Sequence, residues 1–156
     1  MSEINNNNFI IFLDIDGVLW SYDKRKHWDE DGKQSFIKEA VESLNKIIEY
    51  YDADLCMISG WNSGFGSEKD YKDFLTSRGI IVNNLIFGSQ HSRYKFVLNT
   101  IKEEDLKWYL IIDDEAYGYY ELMPAIEYKR ILQPNRYRCL DLYDVKQVTK
   151  NFKLKV

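Results

Sequence analysis

Asp14 and Asp16 stand one residue apart where the apolar run "NFIIFLD" ends, and Asp113 and Asp114 end a second such run, "WYLIID". A third run, "ADLCMIS", ends in Ser59, with Gly60 next. If each run is a buried strand and the strands are parallel, four carboxylates and a hydroxyl arrive at one edge. Asp14 and Asp16 would then share a side-chain direction through the two-residue period. Carboxylates crowded together cost several kcal/mol unless a cation sits among them. An oxygen-only set suits a hard cation, with Mg2+ foremost. The blander account makes Asp16-Gly17 a turn and Asp113-Asp114-Glu115 a helix cap. Either pair alone fits that account as well as it fits a cluster. Both pairs and Ser59, each at the end of its own apolar run, favour the cluster.

The elements that must position these groups follow from hydrophobic period. "NFIIFLD" (8–14), "ADLCMIS" (53–59), "NLIFG" (84–88), "WYLIID" (108–113) and "YKRIL" (128–132) are short and apolar, as strands covered on both faces are. Between them, residues 35–51 place Phe36, Ala40, Leu44, Ile47 and Ile48 at helical spacing. Residues 67–79 carry a Ser cap, an acidic first turn and a Gly stop, 93–105 read as a third helix, and a last helix starts near Asp141. The order β-α-β-α-β-α-β, then β-α, predicts a three-layer, Rossmann-like α/β fold, a parallel sheet with helices on both faces. Right-handed crossovers bring the carboxyl ends of all its strands to one edge, where open α/β sheets bind ligands. Residues 17–33 are too long for an ordinary βα loop and are read as a small flap.

The totals bound the rest. At 156 residues, 45% hydrophobic and 29% charged, the chain is expected to be one domain over 9–156 behind a disordered lead-in, 1–8. It has no apolar run near membrane-spanning length and no signal-peptide layout, and Cys56 and Cys139 form no C-x-x-C pair, so a cytoplasmic setting is expected. A net charge of −4 argues against a general nucleic-acid coat but leaves room for one nucleic-acid end as substrate. No obligate protein partner is evident. His27 and His91 lack partners at zinc spacing, and "GWNSGFGS" has no P-loop lysine.

"LDIDGVL" resembles the first motif of the haloacid dehalogenase-like (HAD) phosphotransferases, "CMIS" the second and "IIDDE" the fourth. The third motif, a basic residue opening the helix before the last of these strands, is offered by Arg93 or Lys95 in "SRYKFVL". Within that superfamily the ordered set, over about residues 9 to 150, most resembles the small, nearly capless HAD domain of Swiss-army-knife RNA-repair proteins. Two positions depart from that group: Asn62 stands where Arg is frequent, and the Arg-Gly of the third motif is Arg93-Tyr94.

The resemblance implies a Mg2+-dependent phosphatase with Asp14 as nucleophile and Asp16 as acid and base. Ser59, the Gly60 N–H and a cation from Arg93 or Lys95, with Arg93 preferred, would hold the phosphoryl group. The metal would be held by Asp14, the Asp16 carbonyl and Asp114 or Asp113, with Asp114 preferred. The substrate would be a phosphorylated small molecule or a nucleic-acid end, reached through an open site. A catalytically silent binding module and a metal-dependent nuclease are the alternatives. Three further features have two readings each. "DKRKHW" (23–28) is a phosphate-receiving patch or a solvated loop; Trp61 and Tyr117, Tyr119 and Tyr120 are base-stacking rings or core.

Overall fold

A computed structural model describes residues 3–26, 35–89, 91–122 and 126–153. Five strands, β1 (Ile10–Leu13), β2 (Asp54–Met57), β3 (Leu85–Phe87), β4 (Tyr109–Ile112) and β5 (Ile131–Leu132), form one parallel sheet in the order β3-β2-β1-β4-β5. The chain moves outward from β1 through α1 (Lys38–Tyr51), β2 and α2 (Glu68–Ser77) to β3, then crosses back by α3 (Arg93–Glu103) to β4. A short helix α4 (Tyr117–Tyr120) and a single turn lead to β5, and α5 (Leu142–Asn151) follows. Strand order therefore reverses between β1 and β4, the place where such sheets open a crevice.

Alternation along β1 divides the core. Ile11 and Leu13 pack with Leu44, Ile47 and Ile48 of α1 and Val145 and Val148 of α5, while Ile10 and Phe12 pack with Val97 and Ile101 of α3 and Tyr119 of α4. Both faces are buried, which is why the strands read as unbroken apolar runs. The Tyr51 hydroxyl of α1 donates to the Phe152 carbonyl just past α5, locking the two helices of one layer. Ser67 caps α2 by accepting from the Asp70 N–H at 3.1 Å, and Asp141 and Asp144 cap α5 reciprocally.

The predicted strand 128–132 is shorter than expected: Tyr128–Arg130 form a 3-10 turn and only Ile131 and Leu132 pair with β4. The Arg130 guanidinium lies 3.8 Å from the Phe152 ring centre and 4.7 Å from that of Tyr109, drawing the turn against the core. The proposed flap is described only as far as Lys26; residues 27–33 lie outside the described residues, as does His27. In the lead-in, Asn6 donates to the Glu104 carbonyl (2.9 Å) and Asn8 to the Asp54 carboxylate (3.0 Å). No helix among the described residues is long and apolar enough to cross a membrane.

Asn62 explains one departure from the motif pattern. Its amide donates to the Met57 carbonyl (2.8 Å) and the Gly88 carbonyl (3.2 Å), bracing the carboxyl ends of β2 and β3. Asn62→Ala removes both bonds and is expected to lower the unfolding free energy by about 1–3 kcal/mol, read from urea midpoints.

Candidate active site

β1 and β4 run in register, Leu13 opposite Ile112, so Asp14 and Asp113 emerge one step beyond the same pair. The Asp14 N–H bonds to the Ile112 carbonyl and the Asp113 N–H to the Leu132 carbonyl, which fixes both backbones at the sheet edge. Asp14, Asp113 and Asp114 each present a carboxylate oxygen within 4.8 Å of the others, and all three are buried. Arg93, the first residue of α3, fans across this group: Nη1 is 3.7 Å from Asp14 Oδ2, Nε 3.3 Å from Asp113 Oδ2 and Nη2 2.9 Å from Glu115 Oε2. Lys95 is exposed and joins none of these pairs. One helical turn cannot aim both residues at the same edge, and Arg93 is the one it aims.

The three acids have different surroundings. Asp113 Oδ1 accepts from the Glu115 N–H (2.9 Å), and Oδ2 accepts from the Tyr119 hydroxyl (3.0 Å) beside Arg93. Both of its oxygens thus accept from the protein. Asp114 Oδ2 is buried without a hydrogen-bond partner, and the nearest cation is Arg136 Nε at 3.5 Å. Asp14 Oδ1 accepts from the Ile15 N–H (2.9 Å). Burial, then the charge of Asp113, pushes the Asp14 carboxyl up to about 9, with Arg93 pulling the other way. Burial likewise pushes Asp113 up to about 6 and raises Asp114. An orphaned buried oxygen on Asp114 beside a carboxylate that resists ionising fits an oxygen-liganded divalent cation. All three side chains offer an oxygen to such a cation, and Asp114 is the one whose buried oxygen has no hydrogen-bond partner.

The expected convergence of four carboxylates is three and one. β1 ends at Leu13, and the Ile15 carbonyl accepts from the N–H groups of Val18, Leu19 and Trp20, so Asp16 sits in a turn and not on a pleat. Its Oδ1 accepts from the Trp61 indole N–H at 2.8 Å. Trp61 itself packs among Trp20, Phe36 and Phe74, so the aromatic read as stacker or core is core with its polar edge on Asp16. Gly17 at φ +77° completes the turn, and a Cβ there would overlap the Asp114 carboxylate. Both conformation and space require glycine.

Ser59, fully buried at the end of β2, accepts from the Trp61 N–H (3.2 Å) and opens a 3-10 turn whose first residue, Gly60, is exposed. Two contributors to the acid group were given no role by the sequence reading, although both lie in stretches that resemble the family, Glu115 in "IIDDE" and Arg136 in "LQPNRYRCLDLYDV". Glu115 pairs with Arg93, and Arg136 reaches Asp114 from a turn more than twenty residues later. Tyr119, read as stacker or core, is buried and orients Asp113. The second motif departure is also explained. The Tyr94 hydroxyl donates to the Glu115 carbonyl (3.1 Å), and its ring fills the space over Gly118, where a Cβ would lie 2.5 Å from it.

A family model described as the HAD domain in Swiss Army Knife RNA repair proteins matches residues 10–145. No curated protein matches the chain.

The raised acids carry a stability consequence. Between the ordinary carboxylate pKa near 3.8 and about 9, folded Asp14 holds a proton that the unfolded chain has lost, so this contribution weakens the fold as pH rises. In metal-free buffer, Asp14→Asn should therefore gain melting temperature relative to wild type progressively from pH 5 to pH 8. A constant difference across that range would refute the assignment.

Proposed function

The chain belongs to that family, and from this premise we propose that it is a Mg2+-dependent phosphatase that cleaves a phosphate monoester through an aspartyl-phosphate on Asp14. The observation that supports it most is Asp14 itself, a buried carboxylate at a strand end with Arg93 at 3.7 Å and a second acid, Asp114, alongside. Asp14, Asp114 and the Asp16 carbonyl would hold the Mg2+, which would neutralise charge on carboxylate and phosphate together.

The chain's own groups divide the remaining work. Arg93, oriented by Asp113 and Glu115, holds phosphoryl oxygens, as do the Ser59 hydroxyl and the Gly60 N–H. Asp14 attacks phosphorus in line while the ester bond breaks, and the departing oxygen takes a proton from Asp16. Asp16, now a carboxylate, accepts a proton from water as that water attacks the aspartyl-phosphate. The products are inorganic phosphate and free Asp14, with Asp16 again protonated. Trp61 matters here as a positioning residue, because its N–H holds Asp16 at one oxygen, beside the acid group and outside it. A bulky monoester is the preferred substrate: a nucleotide or nucleic-acid terminal phosphate, in keeping with the RNA-repair description of the matched family.

Asp14→Asn should lower Mg2+-dependent phosphate release by about a thousandfold or more against oligonucleotides carrying 5′ or 3′ phosphates, with the fold retained by circular dichroism. Robust release by that variant sinks the nucleophile, and cleavage of internal phosphodiesters would favour a nuclease instead.

Trp61→Phe keeps the ring packing and removes the donor. Its kcat/KM for an alkyl phosphate, whose leaving oxygen needs a proton, should fall by about 10- to 100-fold. For p-nitrophenyl phosphate, whose leaving group does not, it should hardly change. Equal losses on both substrates would reduce Trp61 to a packing role.

A further inference from the structure

We propose that the face built by residues 20–26 and 135–139 binds single-stranded nucleic acid and leads its end to Asp14. This inference deepens the phosphatase reading, on which it rests only for what happens once the end arrives.

Two segments more than a hundred residues apart are tied together at this face. The Ser21 hydroxyl donates to the Tyr137 carbonyl (2.5 Å), the Tyr22 N–H to the Arg136 carbonyl (3.0 Å) and Lys26 Nζ to the Tyr137 carbonyl (3.4 Å). Asn135 Oδ1 accepts from the N–H groups of Tyr137 and Arg138, which holds the turn in shape. Together the segments carry five basic residues and one acidic residue, in a chain whose net charge is −4. Arg25 is paired with Asp23, but Lys24, Lys26 and Arg138 are exposed and form no ion pair among the described residues. The basic loop that the sequence left open between patch and solvated surface thus acquires a second basic segment.

Aromatic rings lie between these cations. Tyr22 is 45% and Tyr137 57% exposed, an unusual use of apolar area unless something covers it. The Arg136 guanidinium sits 5.2 Å from the Tyr22 ring centre and 3.5 Å from Asp114, so the face runs into the acid group without a gap. Spaced cations with intervening rings match a strand that alternates phosphates with planar bases. An acidic peptide would use the cations and leave the rings idle, and a duplex keeps its bases stacked away from them.

The test uses the full chain, a fluorescent single-stranded oligoribonucleotide without terminal phosphate, and anisotropy across a salt series. The combined variant Lys24→Glu, Lys26→Glu, Arg138→Glu should bind at least tenfold more weakly and lower the log–log salt slope by about 2, as three phosphates go unneutralised. Tyr137→Ala should weaken binding by about fivefold or more. Turnover of p-nitrophenyl phosphate, which is too small to reach this face, should be unchanged in both. Unchanged oligonucleotide affinity in either variant overturns the proposal, as does equal binding of polyglutamate or of the matching duplex. Loss of all p-nitrophenyl phosphate turnover in wild type would instead refute the phosphatase reading and leave this surface standing.

Discussion

Like charges buried side by side at the end of a sheet are the constraint around which the rest of this protein is arranged. The β1–β4 ladder delivers Asp14 and Asp113 to adjacent positions, and Asp114 follows. Left alone, such a group would take up protons, as the elevated Asp14 carboxyl shows. Arg93 answers part of the charge from α3, and Arg136 part from the turn before α5. Tyr119 donates to Asp113 from the second core, so the α4 turn acts as a support for the site. Four carboxylates, counting Glu115, still face two guanidinium groups. That imbalance is the physical basis for expecting a divalent cation.

The same crowding accounts for small details that otherwise look incidental. Gly17 leaves room for the Asp114 carboxylate, and Gly118 leaves room for the Tyr94 ring, which in turn holds the Glu115 carbonyl that follows the acids. By local logic the glycine of Ile15-Asp16-Gly17 would be an ordinary turn residue; here its missing Cβ is what lets Asp114 approach. Asn62 belongs to the same scheme at longer range, joining β2 and β3 so that Ser59 and the turn after it keep a defined edge.

Separation of Asp16 from the other acids supports the division of labour proposed for the site. Asp14 lies in the dry, charged group, while Asp16 is partly exposed, held by an indole that is itself wedged among aromatic rings. Two carboxylates two residues apart in sequence therefore occupy different electrostatic settings, a common way for one site to assign distinct proton roles.

By itself the sequence determined the strand and helix order, the doubly covered sheet and the acids at its carboxyl edge. Unbroken apolar runs, helical spacing in "SFIKEAVESLNKIIEYY" and the capping pattern at Ser67 are local signals that tertiary packing reinforces. The tertiary structure shows which cation meets the acids and which acid keeps an oxygen without a hydrogen bond, where the sequence offered a preference only. Arg93 and Lys95 open the same helix, and only the angle of α3 to the sheet turns Arg93 inward. Asp113 and Asp114 are indistinguishable as a dipeptide until Tyr119, Glu115 and Arg93 engage one and leave an oxygen of the other without a hydrogen bond, 3.5 Å from Arg136. The Arg136–Asp114 and Trp61–Asp16 contacts could not be read from the sequence, because each joins segments brought together only by the fold. Residue type and period are written locally; the direction of a side chain relative to a distant partner is set by the packing of whole elements.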